Sequence, residues 1–311
     1  MTEPGRLDYE QRVNRVIDHI REHLADDLSL AALARLAEFS PFHFHRLFRA
    51  VTGETLFGFI QRQRIEKAAG ALHAHPGLAV LVVALDHGFS SAATFARAFR
   101  SRFGMSATQW RAGGAERWRR AQERARKAGK PVRKPGKARP ARPPQTRRRK
   151  EAPMSVHVRE LPEFHLAYMR YAGPYGAHGI PELWRRLHAW MKPRGLYTPD
   201  RITLGIAHDD PAITSPERCR YDAGVVVPAD FAADRWVTVT DVPSGRYAVG
   251  GFTGTAHEIE AAWDRLFSMW LPASSYEPDD RSCYELYRGN PTVDAKAGRF
   301  RCELCLPVRP L

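Results

Sequence analysis

Cysteine is scarce in this 311-residue chain: there are four, Cys219, Cys283, Cys302 and Cys305, and none precedes position 219. So few thiols exclude a disulfide-stapled scaffold, and free thiols in a reducing compartment are expected. Long apolar runs are missing as well. The longest, Leu78–Leu85, has eight residues, far short of the roughly 20 that a membrane-spanning helix needs. The opening residues MTEPGRLDYE contain no apolar segment, so no secretory signal and no membrane partner are expected. Acidic residues nearly vanish from one stretch. Residues 115–150 hold 16 Lys/Arg against 2 Asp/Glu, whereas residues 1–114 hold 14 against 11 and residues 151–311 hold 18 against 21. The formal charge of +14 therefore sits in one segment between a mildly basic half and a mildly acidic one. That distribution points to a polyanion partner for the first half and a different one for the second. The length is roughly that of two domains. The 43% hydrophobic content excludes wholesale disorder.

Apolar residues at Val13, Val16, Ile17, Ile20 and Leu24 fall at helical spacing. A short helix is expected after Ser29. Ser40-Pro41 then reads as N-cap plus N1 proline, with a stop at Gly53. On that helix Phe44, Leu47, Phe48 and Val51 form one stripe; Phe42, His45, Arg46 and Arg49 form another on the opposite side. The unit recurs 51 residues on, where Phe95, Arg97, Phe99, Arg100 and Gly104 repeat Phe44, Arg46, Phe48, Arg49 and Gly53. Leu56 to Leu72 reads as a long connecting helix. Two copies of short helix, turn and arginine-faced helix describe a tandem helix-turn-helix.

The segments FSPFHFHRLFRAVTGETLFGFIQRQRIEKA and VALDHGFSSAATFARAFRSRFGMSATQWR resemble the AraC/XylS DNA-binding domain over about residues 8–112. The resemblance implies that one chain places two recognition helices in successive major grooves of double-stranded DNA, with RNA polymerase as a further partner. The positions matching the family's base-reading sites are Ser40, Phe42, His45 and Arg46 in the first helix and Ala92, Ala93, Thr94 and Arg97 in the second. Arg46 and Arg97 can each pair bidentately with guanine, and Phe42 offers apolar contact to a thymine methyl. Family members often carry glutamines where Ala92 and Ala93 stand. The second helix is therefore expected to contribute mainly phosphate contacts through Thr94 and Arg100. Arg49 and Arg100 suit phosphate binding or solvation better than base reading.

A basic linker with seven prolines and glycines between Arg126 and Lys150 is expected over 115–153, largely disordered, with Ala115–Lys127 able to extend the last helix. It reads either as a solubilising tether or as a non-specific DNA clamp.

From residue 154 strand-like alternation begins. His165, Ala167, Met169 and Tyr171 alternate with Leu166, Tyr168 and Arg170. A helix follows with Leu183, Leu187 and Trp190 on one face, then strands near Ile202–Ala207, Tyr221–Val227 and Trp236–Thr240. The pattern repeats 81 residues on: Val242-Pro243, Ala248 and Gly254 answer Leu161-Pro162, Ala167 and Gly173. A second helix spans Ala256 to Trp270, and strands follow at Cys283–Tyr287 and Phe300–Leu306. The expected fold is multidomain: an all-α tandem helix-turn-helix domain (8–114), the linker (115–153), and an α+β domain (154–311) of two strand-helix-strand-strand repeats with both helices on one face of an antiparallel sheet. Cys302-x-x-Cys305 lies in a strand-like run that points the two thiols to opposite faces. His208-Asp209-Asp210-Pro211 reads as an Asp-Pro turn. No metal or other cofactor is expected.

Glu285 shares a strand face with Cys283 and Tyr287. Burying a lone carboxylate there is costly. Three roles compete: a salt bridge to an arginine, a place on the solvent face, or the anionic floor of an aromatic pocket for cationic ligands. The pieces RELPEFHLAYMRYAGPYG, LGIAHDDP, CRYDAGVVV, VPSGRYAVGGFTGTAHEI and YELY resemble the GyrI-like small-molecule-binding domain. That resemblance implies the pocket reading, with Glu285 at its floor and Tyr168, Trp184, Trp263, Phe267 and Tyr287 as walls. Together the halves resemble the Rob-type arrangement of DNA reader and effector domain. This implies a cytoplasmic, nucleoid-associated, non-enzymatic transcription regulator that senses a cationic or amphipathic organic compound. Two alternatives stay open: a hydrolase using Glu285 and Tyr287, and a non-specific nucleoid-binding protein.

Overall fold

A computed structural model describes residues 3–128, 154–175, 179–211, 213–279 and 281–311. The Pro/Gly-rich part of the expected linker, residues 129–153, lies outside the described residues.

The first half is helical: α1 (Glu3–Glu22), α2 (Leu30–Leu36), α3 (Pro41–Thr52), α4 (Leu56–Ala74), α5 (Val80–Asp86), α6 (Ala92–Phe103), the single turn α7 (Ala107–Gln109), and α8 (Ala115–Ala128). The sequence repeat is a structural one. Ser40 sits in extended conformation and accepts the His43 N–H, Pro41 occupies the first helical position, and Gly53 at φ 75° ends α3. Ser91 accepts the Thr94 N–H and Gly104 at φ 70° ends α6. Glycine adopts this left-handed conformation without steric penalty, which is why both helices stop there.

Each unit has its own core. Val13, Val16, Ile17 and Ile20 of α1 pack with Leu33, Phe44 and Phe48, and with Leu56, Phe59 and Ile60 from the start of α4. Ile65, Ala68, Ala69 and Leu72 from the rest of α4 pack with Val83, Phe95, Phe99 and Phe103. The helix α4 is thus apolar on different sides along its length and belongs to both cores. Its polar residues Arg62, Gln63 and Glu66 are nonetheless buried.

The second half is one antiparallel sheet. Its strands are β1 (Val156–Leu161), β2 (Phe164–Ala172), β3 (Ile202–Ala207), β4 (Arg220–Val226), β5 (Thr238–Val242), β6 (Gly245–Gly254), β7 (Tyr276–Pro278), β8 (Tyr284–Arg288), β9 (Thr292–Asp294) and β10 (Arg299–Pro310). They lie in the order β1-β6-β10-β8-β3-β4-β2-β5, with β7 and β9 also paired to β10. Two helices, α9 (Gly179–Met191) and α10 (Ile259–Arg265), cover the same face. Leu183 and Leu187 of α9 pack on Ala167, Met169, Tyr221 and Ala223. Ala262 of α10 packs with Ala248, Phe252, Leu304 and Leu306. The opposite face gathers Leu166, Tyr168, Leu204, Ile206, Tyr247, Tyr284 and Leu286. The two repeats expected from sequence meet in this layer.

Some boundaries differ from expectation. The strand expected from Trp236 begins at Thr238. The helix expected over 256–270 starts only at Ile259, because the Glu258 carboxylate accepts the Thr255 N–H at 2.7 Å and holds the preceding residues in a turn. Beyond Arg265 it widens into a π-helical turn, Leu266–Trp270. Cys302 and Cys305 do lie on opposite faces of the sheet. Burial pushes the Cys219 and Cys283 thiols up to about 12, so neither forms an appreciable thiolate at neutral pH.

The helical half docks against the sheet. Asp18 of α1 accepts hydrogen bonds from Tyr168 and from Arg170 of β2. Arg170 also holds Asp222 of β4 through two bonds of 2.7 Å. His208 hydrogen-bonds Asp222, and burial pushes the imidazole down to about 4. The turn expected at His208–Pro211 is present, with the Asp210 carbonyl accepting the Ile213 and Thr214 N–H groups. Its first two residues do more than turn the chain: they belong to this buried polar layer.

Candidate functional site

Two regions collect the residues of interest. The first is the outward face of the two helix-turn-helix units. Phe42 is 68% exposed, and the Arg46 guanidinium lies 5.7 Å from its ring centre. Arg49, Ala92, Ala93, Arg97 and Arg100 are exposed and His45 is half-buried. Docking of the second domain therefore leaves both candidate reading helices open. Two residues are already engaged. Ser40 caps α3, and the Thr94 hydroxyl donates to the Ser91 carbonyl at 2.8 Å. They shape the helix starts rather than presenting free hydroxyls.

The second region is centred on Glu285, which is 8% exposed. Strands β8, β3 and β4 lie side by side, with Gly205 of β3 in register with Glu285. The absent side chain at Gly205 lets the Tyr221 phenol of β4 reach across. Tyr221 and Tyr287 each donate to the same carboxylate oxygen, Oε2, at 2.7 Å. Trp184 of α9 meets Tyr287 edge-on at 5.3 Å, and Trp263 of α10 packs against the same apolar cluster as Tyr287. Among the described residues the hydrogen-bond partners of Glu285 are tyrosine hydroxyls rather than an arginine, which sets aside the salt-bridge reading.

The electrostatics follow. Burial raises the Glu285 pKa above the usual carboxylate range, while hydrogen bonds from Tyr287 and Tyr221 oppose the shift. Burial and the adjacent carboxylate push the Tyr221 and Tyr287 phenols well above the ordinary value. Both phenols are therefore proton donors at neutral pH.

Tyr168 requires correction. It was expected as a pocket wall, but it lies on the opposite face of the sheet, with its hydroxyl on Asp18. Side chains alternate along β2, and the small Ala167 and the flexible Met169 are the residues beneath α9. Phe267 is 42% exposed and packs 6.2 Å from Trp263, at the protein surface. Tyr221 and Gly205 were missed. The signal for Tyr221 was its position in a strand with odd-numbered residues on the pocket face; that for Gly205 was a glycine inside a strand.

A Cβ at Gly205 would fall 2.0 Å from the Tyr221 hydroxyl and 2.8 Å from Glu285 Oε2. Gly205→Ala is expected to displace the phenol and lower stability by about 1–3 kcal/mol, read as a fall in the urea midpoint. An unchanged midpoint would show that the phenol is not held there.

These features define a class: a tandem helix-turn-helix protein joined to an α+β domain with a carboxylate-floored aromatic site. The chain belongs to the GyrI-like small molecule binding domain family, which matches residues 154–309, and its residues 33–113 match an AraC-type helix-turn-helix domain. YosT of Bacillus subtilis, named as an SPbeta prophage-derived transcriptional regulator, is 32% identical over 160 residues, half of this chain and all of that protein. A DNA gyrase inhibitor of Edwardsiella piscicida is 31% identical over 164 residues, 50% of this chain and 99% of that one. The DNA-binding domain of AdpA, solved with a target DNA, is 29% identical, covering 34% of this chain and 96% of that one at a TM-score of 0.32.

Proposed function

We propose that this regulator reads duplex DNA through α3 and α6 and senses a cationic or amphipathic organic compound at Glu285. The helix-turn-helix match and the exposed, arginine-bearing helices support the first part. The second rests on one observation: a carboxylate 8% exposed, held by two tyrosine hydroxyls and flanked by Trp184 and Trp263. Such a group is short of positive charge, and a cation that enters gains both its charge and the faces of the aromatic rings. Residues 8–114 are the reader, with Ala115 and Trp118 of α8 packed onto its second core, and residues 154–311 are the sensor. RNA polymerase is the partner we assign to the reader, and the compartment is the cytoplasm at the nucleoid.

We take the second domain to be a sensor rather than a hydrolase. Its two phenols spend their protons on Glu285, and their raised pKa values disfavour a phenolate base.

The test is a thermal-shift comparison of benzyltriethylammonium with a neutral aromatic of similar shape. A ligand that binds only the folded state raises its melting temperature. The cation is expected to raise it, more strongly as pH rises through the window between the ordinary glutamate pKa and the raised one, because binding requires the ionised carboxylate and expels its proton. Equal shifts by both compounds would contradict a charge-selective site.

A further inference from the structure

Between β3 and β4 the chain leaves the sheet, and its contacts run along α4. Near the end of α3, Arg218 donates to Glu54 at 2.9 Å. At the middle of α4, Arg220 donates to Gln63 at 2.8 Å and its guanidinium lies 5.4 Å from the Phe59 ring centre. Further along, the Thr214 hydroxyl donates to Glu66 Oε2 at 2.9 Å. Glu66 Oε1 accepts from Arg102 of α6 at 2.9 Å, and Arg102 also donates to the Ile213 carbonyl at 2.8 Å. Ile213 itself packs against the core of the second helix-turn-helix unit. One short segment of the sensor thus touches the first unit, the helix joining the units, and the second reading helix.

The same segment enters β4, where three successive residues alternate between the faces of the sheet. Arg220 is held on the DNA-reader side by Asp209, in a two-bond pair at 2.7 and 2.9 Å. Asp222 is held on that side by Arg170, which also grips Asp18 of α1. Tyr221, between them, turns to the other face and donates to Glu285.

We propose that Ile213–Asp222 is a brace that fixes the relative placement of α3 and α6, with Thr214, Glu66 and Arg102 as positioning residues, and that Tyr221 makes the brace sensitive to occupancy of the Glu285 site. The link to the pocket rests on the reading of Glu285 given above. A tandem reader must present its two helices at a separation that suits successive major grooves of the duplex. Among the described residues α4 is the only continuous element between the two cores, and the brace is bonded to its middle at Gln63 and Glu66 and to Glu54 just before it. Buried ionic contacts of this kind add little net stability but impose one arrangement. A ligand that takes Glu285 away from Tyr221 releases the residue between two interdomain anchors, and a coupling of this type is typically 5- to 150-fold in affinity.

The experiment uses the full-length chain, the duplex it selects from a random pool, and versions of that duplex with one base pair added or removed between the two recognised blocks. Benzyltriethylammonium is the probe, and its binding is measured directly by calorimetry. The parent is expected to prefer the native spacing, and the cation to change that preference at least fivefold. Thr214→Val, which keeps the shape and removes the donor to Glu66, is expected to bind the cation as the parent does, to lose at least fivefold in spacing preference, and to lose the cation's effect on it. Thr214→Ser, which restores the hydroxyl, is expected to recover both, and so separates a positioning role from a folding defect. Parent-like spacing preference in folded Thr214→Val would overturn the brace. An unchanged spacing preference while calorimetry shows the cation bound to the parent would overturn the link to the pocket. Absence of cation binding to the parent would overturn the Glu285 reading and the link with it, while the spacing comparison still decides the brace.

Discussion

Glu285→Gln is expected to weaken binding of an organic cation about 100-fold, or about 2.7 kcal/mol, while leaving DNA binding without ligand intact. The substitution removes a charge and almost no volume. Both tyrosines that donate to Oε2 keep an acceptor in the amide oxygen. What is lost is the anionic partner, inside a site where low polarity makes charge pairing strong. The folded protein should also respond differently to pH. Burial raises the Glu285 pKa in the folded state, so the native protein binds more protons than the unfolded chain over the window between the two values. Stability is then highest below the ordinary glutamate pKa and falls as pH rises through the raised one. Glu285→Gln removes that fall and should melt higher than the parent at neutral pH. Identical cation affinity in the two proteins, measured by calorimetry, would remove Glu285 from the site.

Arg46→Ala is expected to weaken specific DNA binding by about 1–3 kcal/mol, roughly 5- to 150-fold, and to relax preference at one base pair. The side chain is exposed on α3 beside the Phe42 ring, and among the described residues it has no ion pair to break before it reaches a base edge. Arg97→Ala acts at the matching place on α6. There Ala92 and Ala93 offer no polar groups and the Thr94 hydroxyl is committed to Ser91, so Arg97 is expected to be the main base-reading side chain of its helix. Its loss should erase the second recognised block. Arg100→Ala should instead weaken all duplexes alike and lower the slope of log K against log salt by about one. Quantitative binding to a set of single-base variants separates the two behaviours. Uniform loss with Arg46→Ala would place that residue on the phosphates.

The helical half was legible because its boundaries rest on local chemistry. Ser40-Pro41 and Gly53 bracket α3 at the residues expected, and a 51-residue repeat of phenylalanines and arginines declared the second copy. Alternation likewise revealed the strands, and Glu285 stood out as a charge in an apolar run. The failures share a cause. Periodicity separates the two faces of β2 but does not say what covers each. Tyr168, which the family resemblance implied as a pocket wall, instead meets Asp18 from the other domain. Arg170 reads only as a member of a strand and Asp209 as part of a turn, and nothing local marks Arg220 or Asp222. Their burial arises from contact between halves far apart in sequence, and no local pattern announces such a contact. Gly205 and Tyr221 matter only because β3 places the glycine between β8 and β4, a neighbourhood set by topology.

The proposed regulator joins a two-block DNA reader to a cation-sensing pocket in one chain. The most direct test is selection of duplexes from a random pool by the full-length protein, with and without benzyltriethylammonium. The account predicts a motif with two separated blocks, the first more sharply defined, and a several-fold change in its affinity when the cation is present. Equal affinity for all sequences, or a motif whose affinity stays the same while the cation is bound, would contradict it.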